Sequence, residues 1–283
     1  GPFLNNDMGH AAPPWTTLRE LEEASLKLET GVLQDEESLR WINLLLAPGA
    51  SLGGARPKAS VLDPDGNLWI AKFPSVRDAI NIGAWEWVAH QLANKAGIYL
   101  SAANAKKFNS DHHTFLAQRF DRQQEDRLHF ASAMTLLGRQ DGEDGASYLE
   151  LVEFIQRQGV DVNENLLELF RRIVFNIAIK NTDDHLRNHG FLLTPKGWTL
   201  SPAYDMNPVY FGTGLTLNIS ENDNALDFEL ARSVAPYFRM SDQQALEIIE
   251  QVKAARENWS SIATSIGISR SEQEMMEPAF IEG

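Results

Sequence analysis

Ten consecutive residues near the middle of the chain, Lys180 to His189, are almost all polar and lie between two strongly apolar segments. Residues 163–180 before them carry Leu, Ile and Val at helical spacing, and residues 190–193 after them read Gly-Phe-Leu-Leu. Polar side chains held between two core elements need partners, and loops on a rigid scaffold are where reactive groups usually lie. The sequence therefore predicts a buried helix and a buried strand joined by a chemically equipped loop.

This loop has three interpretations. It is a helix end with solvated polar side chains, a metal-hydrolase site built on Asp and His, or a catalytic Asp183 followed by a magnesium-binding Asn188. The next polar segment helps to separate them, because Asp205 adds a carboxylate and magnesium prefers oxygen ligands. A hairpin predicted between the two segments folds Asp205 back beside the loop. The order of these elements favours the third interpretation.

Composition limits the class of protein. With 283 residues, of which 43% are apolar, the chain is long enough for one large core or two joined lobes. The formal net charge of −14 disfavours direct binding to nucleic acid, which requires clustered Lys and Arg. The chain has no cysteine for disulfides and no apolar run long enough to cross a bilayer, so we expect a cytoplasmic protein.

The order of predicted elements, with strands first and helices later, favours an α+β fold with two lobes. Helices are predicted at residues 17–29, 36–46, 79–96, 147–158 and 163–180 and from 225 onward, and strands at 59–62, 68–73, 105–108, 114–120, 128–130, 190–193 and 198–201. Thr17 and Glu20 offer a capping box for the first helix. We expect the strands at 105–130 to form a small antiparallel sheet. The predicted domains are an extended lead-in (1–16), an amino-terminal lobe (17–130) and a mostly helical carboxy-terminal lobe (131–283).

The amino-terminal half contains residues suited to a nucleotide. Gly53 and Gly54 lie in a loop before a strand, where backbone N–H groups can approach phosphates closely. Lys72 lies among apolar neighbours on a predicted strand, although an exposed strand lysine is an equally simple interpretation. Glu86, between two tryptophans on a predicted helix, is a partner for Lys72 or a solvated residue. These residues predict a glycine loop and a fixed cation.

A further segment, Gln118-Arg119-Phe120-Asp121-Arg122, follows an apolar run. Its backbone groups are suited to an adenine edge that Phe120 would cover. The alternative is a strand end capped by an Arg and Asp pair, and the sequence leaves both open.

Five motifs, in this order, resemble HipA-like serine/threonine kinases, the toxins of bacterial type II toxin–antitoxin systems. The motifs are Ser51 to Lys58, Ile70 to Pro74, Arg119 to Arg122, Thr182 to Asn188 and Ser201 to Asp205. The resemblance implies a bilobal kinase-like fold with ATP and Mg²⁺ as cofactors. It also implies transfer of a phosphoryl group to a protein hydroxyl, with an aminoacyl-tRNA synthetase as the type of target, and a DNA-binding HipB-like antitoxin as partner.

The resemblance also implies roles for single residues. Asp183 matches the catalytic base, and Asn188 and Asp205 match the magnesium ligands. The residues that match the ATP site are Gly53, Gly54, Ala55, Arg56, Pro57, Lys58, Lys72, Gln118, Arg119, Phe120, His185, Leu186, Arg187 and Tyr204. Ser51 resembles a serine whose autophosphorylation switches the kinase off, because a phosphate adds charge that cannot share a site with ATP.

Two features depart from the family pattern. Gln118 stands where Glu is common, which removes a charge from the predicted adenine contact. Full-length members also carry a further subdomain before the kinase core. We therefore expect that subdomain either to precede this sequence or to be a separate small protein, as in split, HipT-like systems.

Three other functions remain as alternatives. The first is a small-molecule or lipid-headgroup kinase of the same fold, and the second is a pseudokinase that binds and sequesters an antitoxin. The third is an HD-like phosphohydrolase built on His112, His113, Asp184 and His185, although such sites need further ligands. Intact Asp183, Asn188 and Asp205 argue against the pseudokinase. The small-molecule kinase would keep every nucleotide residue and differ only in the acceptor, and the phosphohydrolase would leave the glycine loop and Lys72 without a role.

Overall fold

The computed structural model describes residues 12–31, 56–123 and 126–281. The chain separates into two compact units, the first comprising residues 1–87 and 102–125 and the second residues 88–101 and 126–283. The helix predicted at residues 36–46 lies outside the described residues, as does most of the extended lead-in. Each unit has its own set of elements.

The first unit contains a four-stranded antiparallel sheet in the order β1-β2-β4-β3. Its strands are β1 (Lys58–Leu62), β2 (Leu68–Lys72), β3 (Ala103–Lys107) and β4 (His113–Gln118), and a short strand β5 (Arg122–Gln123) follows. The predicted β1–β2 hairpin is confirmed. Its turn works because Gly66 takes a φ of 82° and the Asp63 carboxylate accepts the backbone N–H groups of Asp65 and Asn67.

Helix α1 (Leu18–Thr30) packs its apolar face on this sheet and ends at Gly31, which has a φ of 71°. The residues of the shared core are Leu18, Leu21, Ala24, Ala59, Val61, Ala71, Phe73 and Leu116. The helix is where the sequence predicted it, but the predicted capping box is wrong. The Thr17 hydroxyl donates to the Pro14 carbonyl at 2.7 Å instead of capping the helix, because a 3₁₀ turn (Trp15–Thr17) precedes it.

Helix α2 (Ile82–Lys95) runs across the sequence boundary between the units and is followed by Gly97 at a φ of 77°. The remaining helices of the second unit are α3 (Ala133–Leu136), α4 (Tyr148–Gln158), α5 (Val162–Ala178), α6 (Phe228–Ser233), α7 (Asp242–Arg256), α8 (Trp259–Ile266) and α9 (Arg270–Met276), with 3₁₀ turns at Ala235–Phe238 and Glu277–Ala279. Helix α5 is buried along most of its length and packs against α4 and α7. It is therefore the central support of this unit.

The second unit also has strands β6 (Asp126–Arg127), β7 (Phe130–Ser132), β8 (Gly190–Thr194) and β9 (Gly197–Leu200). The predicted β8–β9 hairpin is confirmed. The expectation that the strand near residue 130 joins the sheet of residues 105–120 is wrong, because β7 pairs with β8 and extends the hairpin to three strands. The α+β fold class is confirmed.

Among the described residues, no helix combines the length and apolar character needed to cross a membrane.

Candidate active site

The polar loop predicted from the sequence begins where α5 ends. Lys180 has a φ of 49°, a left-handed conformation that reverses the chain direction after the last helical turn. Asn181 holds this turn to the helix, because its backbone N–H donates to the Asn176 carbonyl at 2.8 Å and its side-chain amide donates to Asn176 Oδ1 at 3.0 Å. The loop therefore starts from a fixed point on a buried helix.

The loop is closed by its own hydrogen bonds. The backbone N–H of Asn188 donates to the His185 carbonyl at 2.8 Å, and Asn188 Nδ2 donates to the Asp183 carbonyl at 3.3 Å. Asp183 is exposed, and its carboxylate has no hydrogen bond to any other residue that the structure describes. The structure thus brings the predicted base and the predicted metal ligand Asn188 into one small loop and presents the carboxylate to solvent.

The neighbouring Asp184 is buried, and only 3% of its surface is exposed. Its Oδ2 accepts a hydrogen bond from the Tyr148 hydroxyl at 2.6 Å and one from His189 Nε2 at 2.8 Å. Burial, and then the nearby Asp184 carboxylate, raises the pKa of Tyr148 well above its usual range. The tyrosine therefore stays protonated and acts as a donor.

The segment after β9 carries the second predicted metal ligand. Its start is supported by Arg172 of α5, which donates to the Ser201 carbonyl through Nη2 and to Glu168 through Nε, both at 2.7 Å. Ala203 adds a bond from its N–H to the Tyr99 carbonyl at 2.8 Å. The backbone that leads to Asp205 is thus anchored on both sides.

The two predicted loops contact each other. The Tyr204 hydroxyl donates to the Arg187 carbonyl at 2.7 Å, and the Asn207 N–H donates to Asn181 Oδ1 at 3.3 Å. Burial, followed by the charge of Asp205, raises the pKa of Tyr204, which keeps this hydroxyl a donor. Asp205 has a φ of 60°, a left-handed conformation that Asp tolerates better than most side chains.

The chain beyond Asp205 also packs on the loop. The Val209 N–H donates to the Lys180 carbonyl at 3.2 Å, and the Thr216 hydroxyl donates to the Thr182 carbonyl at 2.8 Å. Gly212 approaches Thr182 so closely that a Cβ at this position would lie 2.2 Å from the Thr182 methyl group. The predicted hairpin required the polar loop and the Asp205 segment to lie close together. In the second unit they do.

This arrangement limits which metal it can hold. No group of three or more His, Cys, Asp or Glu side chains in the described part of the chain is placed to bind a metal ion. Magnesium needs only one or two protein carboxylates plus substrate phosphates and waters, so a site with one Asp and one Asn fits magnesium better than zinc. The donor set of Asn188 and Asp205 fits magnesium bound together with a nucleotide.

The phosphohydrolase alternative does not fit this geometry. The Asp184 carboxylate is already engaged by Tyr148 and His189. In the first unit, His113 Nδ1 lies 2.9 Å from Asn81 Nδ2, and His113 is buried. Burial, with the charges of Lys107 and His112, lowers the pKa of His113 to about 4. His113 is therefore a neutral structural residue at the start of β4.

The first unit holds the predicted cation. Lys72 at the end of β2 forms an ion pair with Glu86 of α2, with 2.5 Å between Nζ and Oε1. The exposed fractions of the two side chains are 18% and 6%. In the sheet register Lys72 is opposite Lys58 on one side and Phe115 on the other. The solvated alternative for Glu86 does not hold, since the carboxylate is buried against a lysine.

The predicted glycine loop is described only from Arg56 onward, and Ser51, Gly53, Gly54 and Ala55 lie outside the described residues. The Arg56 guanidinium contacts both carboxylate oxygens of Asp78 and also donates to the Phe73 carbonyl. Asp78 in turn accepts the Ser75 N–H at 2.8 Å. Arg56 therefore has a structural partner in addition to the nucleotide role that the resemblance implies.

Residues 118–122 show the ion-paired strand end that the sequence left open. Arg119 makes two hydrogen bonds to the Asp121 carboxylate, at 2.8 and 2.7 Å, and Arg122 makes a third at 2.6 Å. Burial raises the pKa of Asp121, but the hydrogen bonds and charge of Arg119, with the charge of Arg122, outweigh it and lower the pKa. The N–H groups of Gln118 and Arg119 donate to the carbonyls of Ala102 and Leu68, so these two donors are already used.

Four residues of the second unit that support the site were missed by sequence reasoning: Tyr148, Arg172, Asp184 in this role, and His189. The sequence contains one signal for them, which is that the charged Arg172 lies beside Leu169 at the edge of the predicted apolar face of its helix. A buried charge requires a partner, so its position on the inner face of α5 could have indicated a contact with a loop. Nothing in the sequence separates the buried Asp184 from the exposed Asp183.

Comparison with protein-family models identifies one family for this chain. The model of the HipA-like C-terminal domain matches residues 50–259. No curated protein matches the chain.

Two solved structures are similar to it. HipA of Shewanella oneidensis, solved in complex with HipB and its operator DNA, has a TM-score of 0.65 at 16% identity and covers 81% of this chain. This chain spans 62% of that HipA chain. The Helicobacter pylori proinflammatory kinase CtkA has a TM-score of 0.60 at 14% identity, over 79% of this chain and 88% of its own. These likenesses confirm the kinase-like fold class.

Proposed function

The chain belongs to the HipA-like C-terminal domain family, and from this premise we propose that it is a protein kinase that uses ATP and magnesium. The membership confirms the resemblance drawn from the five sequence motifs. The proposed reaction transfers the γ-phosphoryl group of ATP to a serine or threonine hydroxyl of another protein.

One observation carries the proposal. In the second unit an exposed Asp183 carboxylate lies on a loop that is hydrogen-bonded to the segment carrying Asp205. A binding module has no need of an exposed carboxylate on a loop whose backbone is fixed from both sides. A phosphotransferase does need it, because its catalysis depends mainly on positioning and charge stabilisation.

The chemistry assigns each residue a step. Asp183 orients the acceptor hydroxyl and takes its proton as the acceptor oxygen forms a bond to the γ-phosphorus. The bond between that phosphorus and the bridging oxygen breaks, and ADP carries away the electron pair. Asn188 and Asp205 would hold magnesium, which supplies neutralising charge on the phosphates. Lys72, kept in place by Glu86, would contact the phosphates as a point charge.

The remaining family roles are part of the same proposal. Residues 53–58, 118–120, 185–187 and Tyr204 would bind the nucleotide, and Ser51 would be the site of inactivating autophosphorylation. We propose an aminoacyl-tRNA synthetase as acceptor, and a DNA-binding antitoxin as partner, since the similar Shewanella HipA was solved with HipB and operator DNA. The net charge of −14 supports a DNA contact made by the partner and not by this chain.

The test is transfer of label from γ-labelled ATP, with magnesium, to the chain itself and to bacterial lysate proteins. We expect phosphoserine or phosphothreonine from the wild type and a loss of about 10²- to 10⁴-fold in Asp183→Asn, because the general base is removed. Asp126→Asn, an exposed residue outside both loops, is the matched control and should keep wild-type activity. Transfer by Asp183→Asn at the wild-type rate would contradict the assignment. Label only on small molecules or lipids would contradict a protein acceptor.

A further inference from the structure

The loop from Asp183 to His189 places one exposed carboxylate beside buried polar side chains. Asp183 is exposed, whereas Asn188 is buried, as are the residues that follow each of them, Asp184 and His189. The two buried side chains contact each other through Asp184 Oδ2 and His189 Nε2 at 2.8 Å. Each residue with a proposed chemical role is therefore followed by a residue that is fixed in the core.

The buried pair has a defined direction of hydrogen bonding. An ionised carboxylate only accepts, so His189 donates from Nε2 and the Tyr148 hydroxyl donates at 2.6 Å. The other ring nitrogen, His189 Nδ1, is buried and has no hydrogen-bond partner in the described part of the chain. Nε2 is therefore the ring nitrogen that contacts another side chain, and a donor on Nδ1 would lie buried without an acceptor.

This series of hydrogen bonds continues to the segment that carries Asp205, the other proposed metal ligand. Asn176 Nδ2 donates to the Tyr148 hydroxyl at 3.3 Å, and Asn181 Nδ2 donates to Asn176 Oδ1 at 3.0 Å. Asn181 Oδ1 then accepts the Asn207 N–H at 3.3 Å. A continuous buried network thus runs from His189 through α4 and α5 to a residue two positions beyond Asp205.

We propose that Asp184 is a positioning residue, which through its donors Tyr148 and His189 sets the orientation of Asp183 and Asn188. This rests on the proposed kinase function. Asp184 touches no reacting atom in this account. Its carboxylate fixes the buried side of the loop, so that the neighbouring side chains keep one arrangement before ATP binds. Networks of this kind act as a unit, because a partly satisfied buried carboxylate destabilises the arrangement.

The least disruptive probe is Tyr148→Phe, which keeps the ring and removes one donor from Asp184. We expect kcat for label transfer to fall on the order of 10- to 100-fold, because a small misplacement of catalytic groups has a large effect on rate. The KM for ATP should change little, because the phosphate contacts are retained. The melting temperature should fall by only a few degrees, because the apolar core is retained and one buried hydrogen bond is lost. Tyr237→Phe, on a side chain that is 55% exposed, is the matched control and should match the wild type.

The histidine offers a rescue test. His189→Gln retains an N–H donor near the position of Nε2, whereas His189→Leu has a similar volume and no donor. We expect His189→Gln to keep a kcat at least about fivefold above that of His189→Leu, since only the first can still donate to Asp184. Equal activity of the two variants, or a loss that follows melting temperature alone, would overturn the positioning role.

A second readout does not depend on kinase activity. Hydrogen exchange at the amides of Asp184 and Asn188, which donate to Asn181 and His185 carbonyls, should quicken in Tyr148→Phe and stay unchanged in Tyr237→Phe. If the wild type transfers no phosphate, the proposed function fails, while faster exchange would still establish the network as the support of the loop. Unchanged exchange together with unchanged kcat in Tyr148→Phe would overturn the inference.

Discussion

The two units hold their proposed functional side chains in different ways. In the first unit, the cations contact carboxylates of that unit directly, in the pairs Lys72 with Glu86, Arg56 with Asp78 and Arg119 with Asp121. In the second unit, the Asp183 carboxylate is exposed, and the buried side of its loop is held by Tyr148, Asp184 and His189, which have no proposed contact with the nucleotide or the metal. The first arrangement joins support and chemistry in one residue, whereas the second assigns them to adjacent residues.

The difference has a consequence for mutational experiments. A substitution at Lys72 removes a proposed phosphate contact and also leaves a buried carboxylate without its lysine. A substitution at Asp183 removes only the proposed chemistry, because the loop is held from Asp184, His189 and Asn181. Stability and activity should therefore change together at Lys72 and separately at Asp183.

The largest effect on stability is expected at the Lys72–Glu86 ion pair of the first unit. Lys72→Met should lower the free energy of unfolding by about 3 kcal/mol, because the Glu86 carboxylate stays buried without its lysine. The double variant Lys72→Met/Glu86→Leu should recover most of that loss, since no buried charge remains, while label transfer stays low. Urea unfolding measures the stability of the single and the double variant. Equal stability of Lys72→Met and wild type would show that the pair does not support the unit.

A smaller effect is expected at the buried guanidinium of the second unit. Arg172→Lys should lower the free energy of unfolding by about 2 kcal/mol, because a lysine cannot donate to both the Ser201 carbonyl and Glu168 in the same geometry. Arg157→Lys is the matched control, since Arg157 is 72% exposed and should tolerate the change. An unchanged denaturation midpoint in Arg172→Lys would contradict the anchoring of the segment that leads to Asp205.

A hydroxyl deletion tests the contact between the two loops. Tyr204→Phe removes the 2.7 Å hydrogen bond to the Arg187 carbonyl and should cost about 1 kcal/mol of stability. We also expect magnesium to increase the affinity for ATP less than in the wild type, because Asp205, a proposed magnesium ligand, is the next residue. Titration calorimetry with and without magnesium measures this, with Tyr99→Phe as an exposed control. If Tyr204→Phe and the wild type showed the same magnesium dependence, the contact between the two loops would have no role in magnesium binding.

The smallest effect concerns pH and the first unit alone. The pKa of His113 is about 4 in the folded chain against 6.5 ordinarily, so the unfolded chain binds the proton more readily. Stability from this residue is full above the ordinary pKa and is lost as the pH falls from there towards the folded value. His113→Asn keeps an acceptor for Asn81 Nδ2 and cannot titrate, so its melting temperature should fall less on acidification. Parallel curves for the two proteins would contradict this assignment.

Local patterns predicted much of the fold. The β1–β2 hairpin followed from Asp63-Pro64-Asp65-Gly66 between two apolar runs, and α2 and α5 followed from helical spacing. The pairing of distant strands was harder to predict from the sequence. The strand near residue 130 pairs with residues 190–192 and not with the strands before it. A strand pattern defines an extended segment but does not identify its neighbour.

The candidate site shows the same limit. The motif order placed the Asp205 segment beside the polar loop because a hairpin separates them, and residues 204 and 207 do contact that loop. The sequence could not assign Asp184 to the core and Asp183 to solvent. That distinction depends on Tyr148, which lies 36 positions away and reaches Asp184 only after α4 and α5 have packed.

The magnesium site that we propose is formed by Asn188 and Asp205 and acts together with a nucleotide. The most direct measurement is the affinity for a non-hydrolysable ATP analogue, with and without magnesium, for the wild type, Asp205→Asn and the control Asp126→Asn. We expect magnesium to strengthen binding to the wild type and the control and to have little effect on Asp205→Asn. Equal strengthening in all three proteins would contradict it.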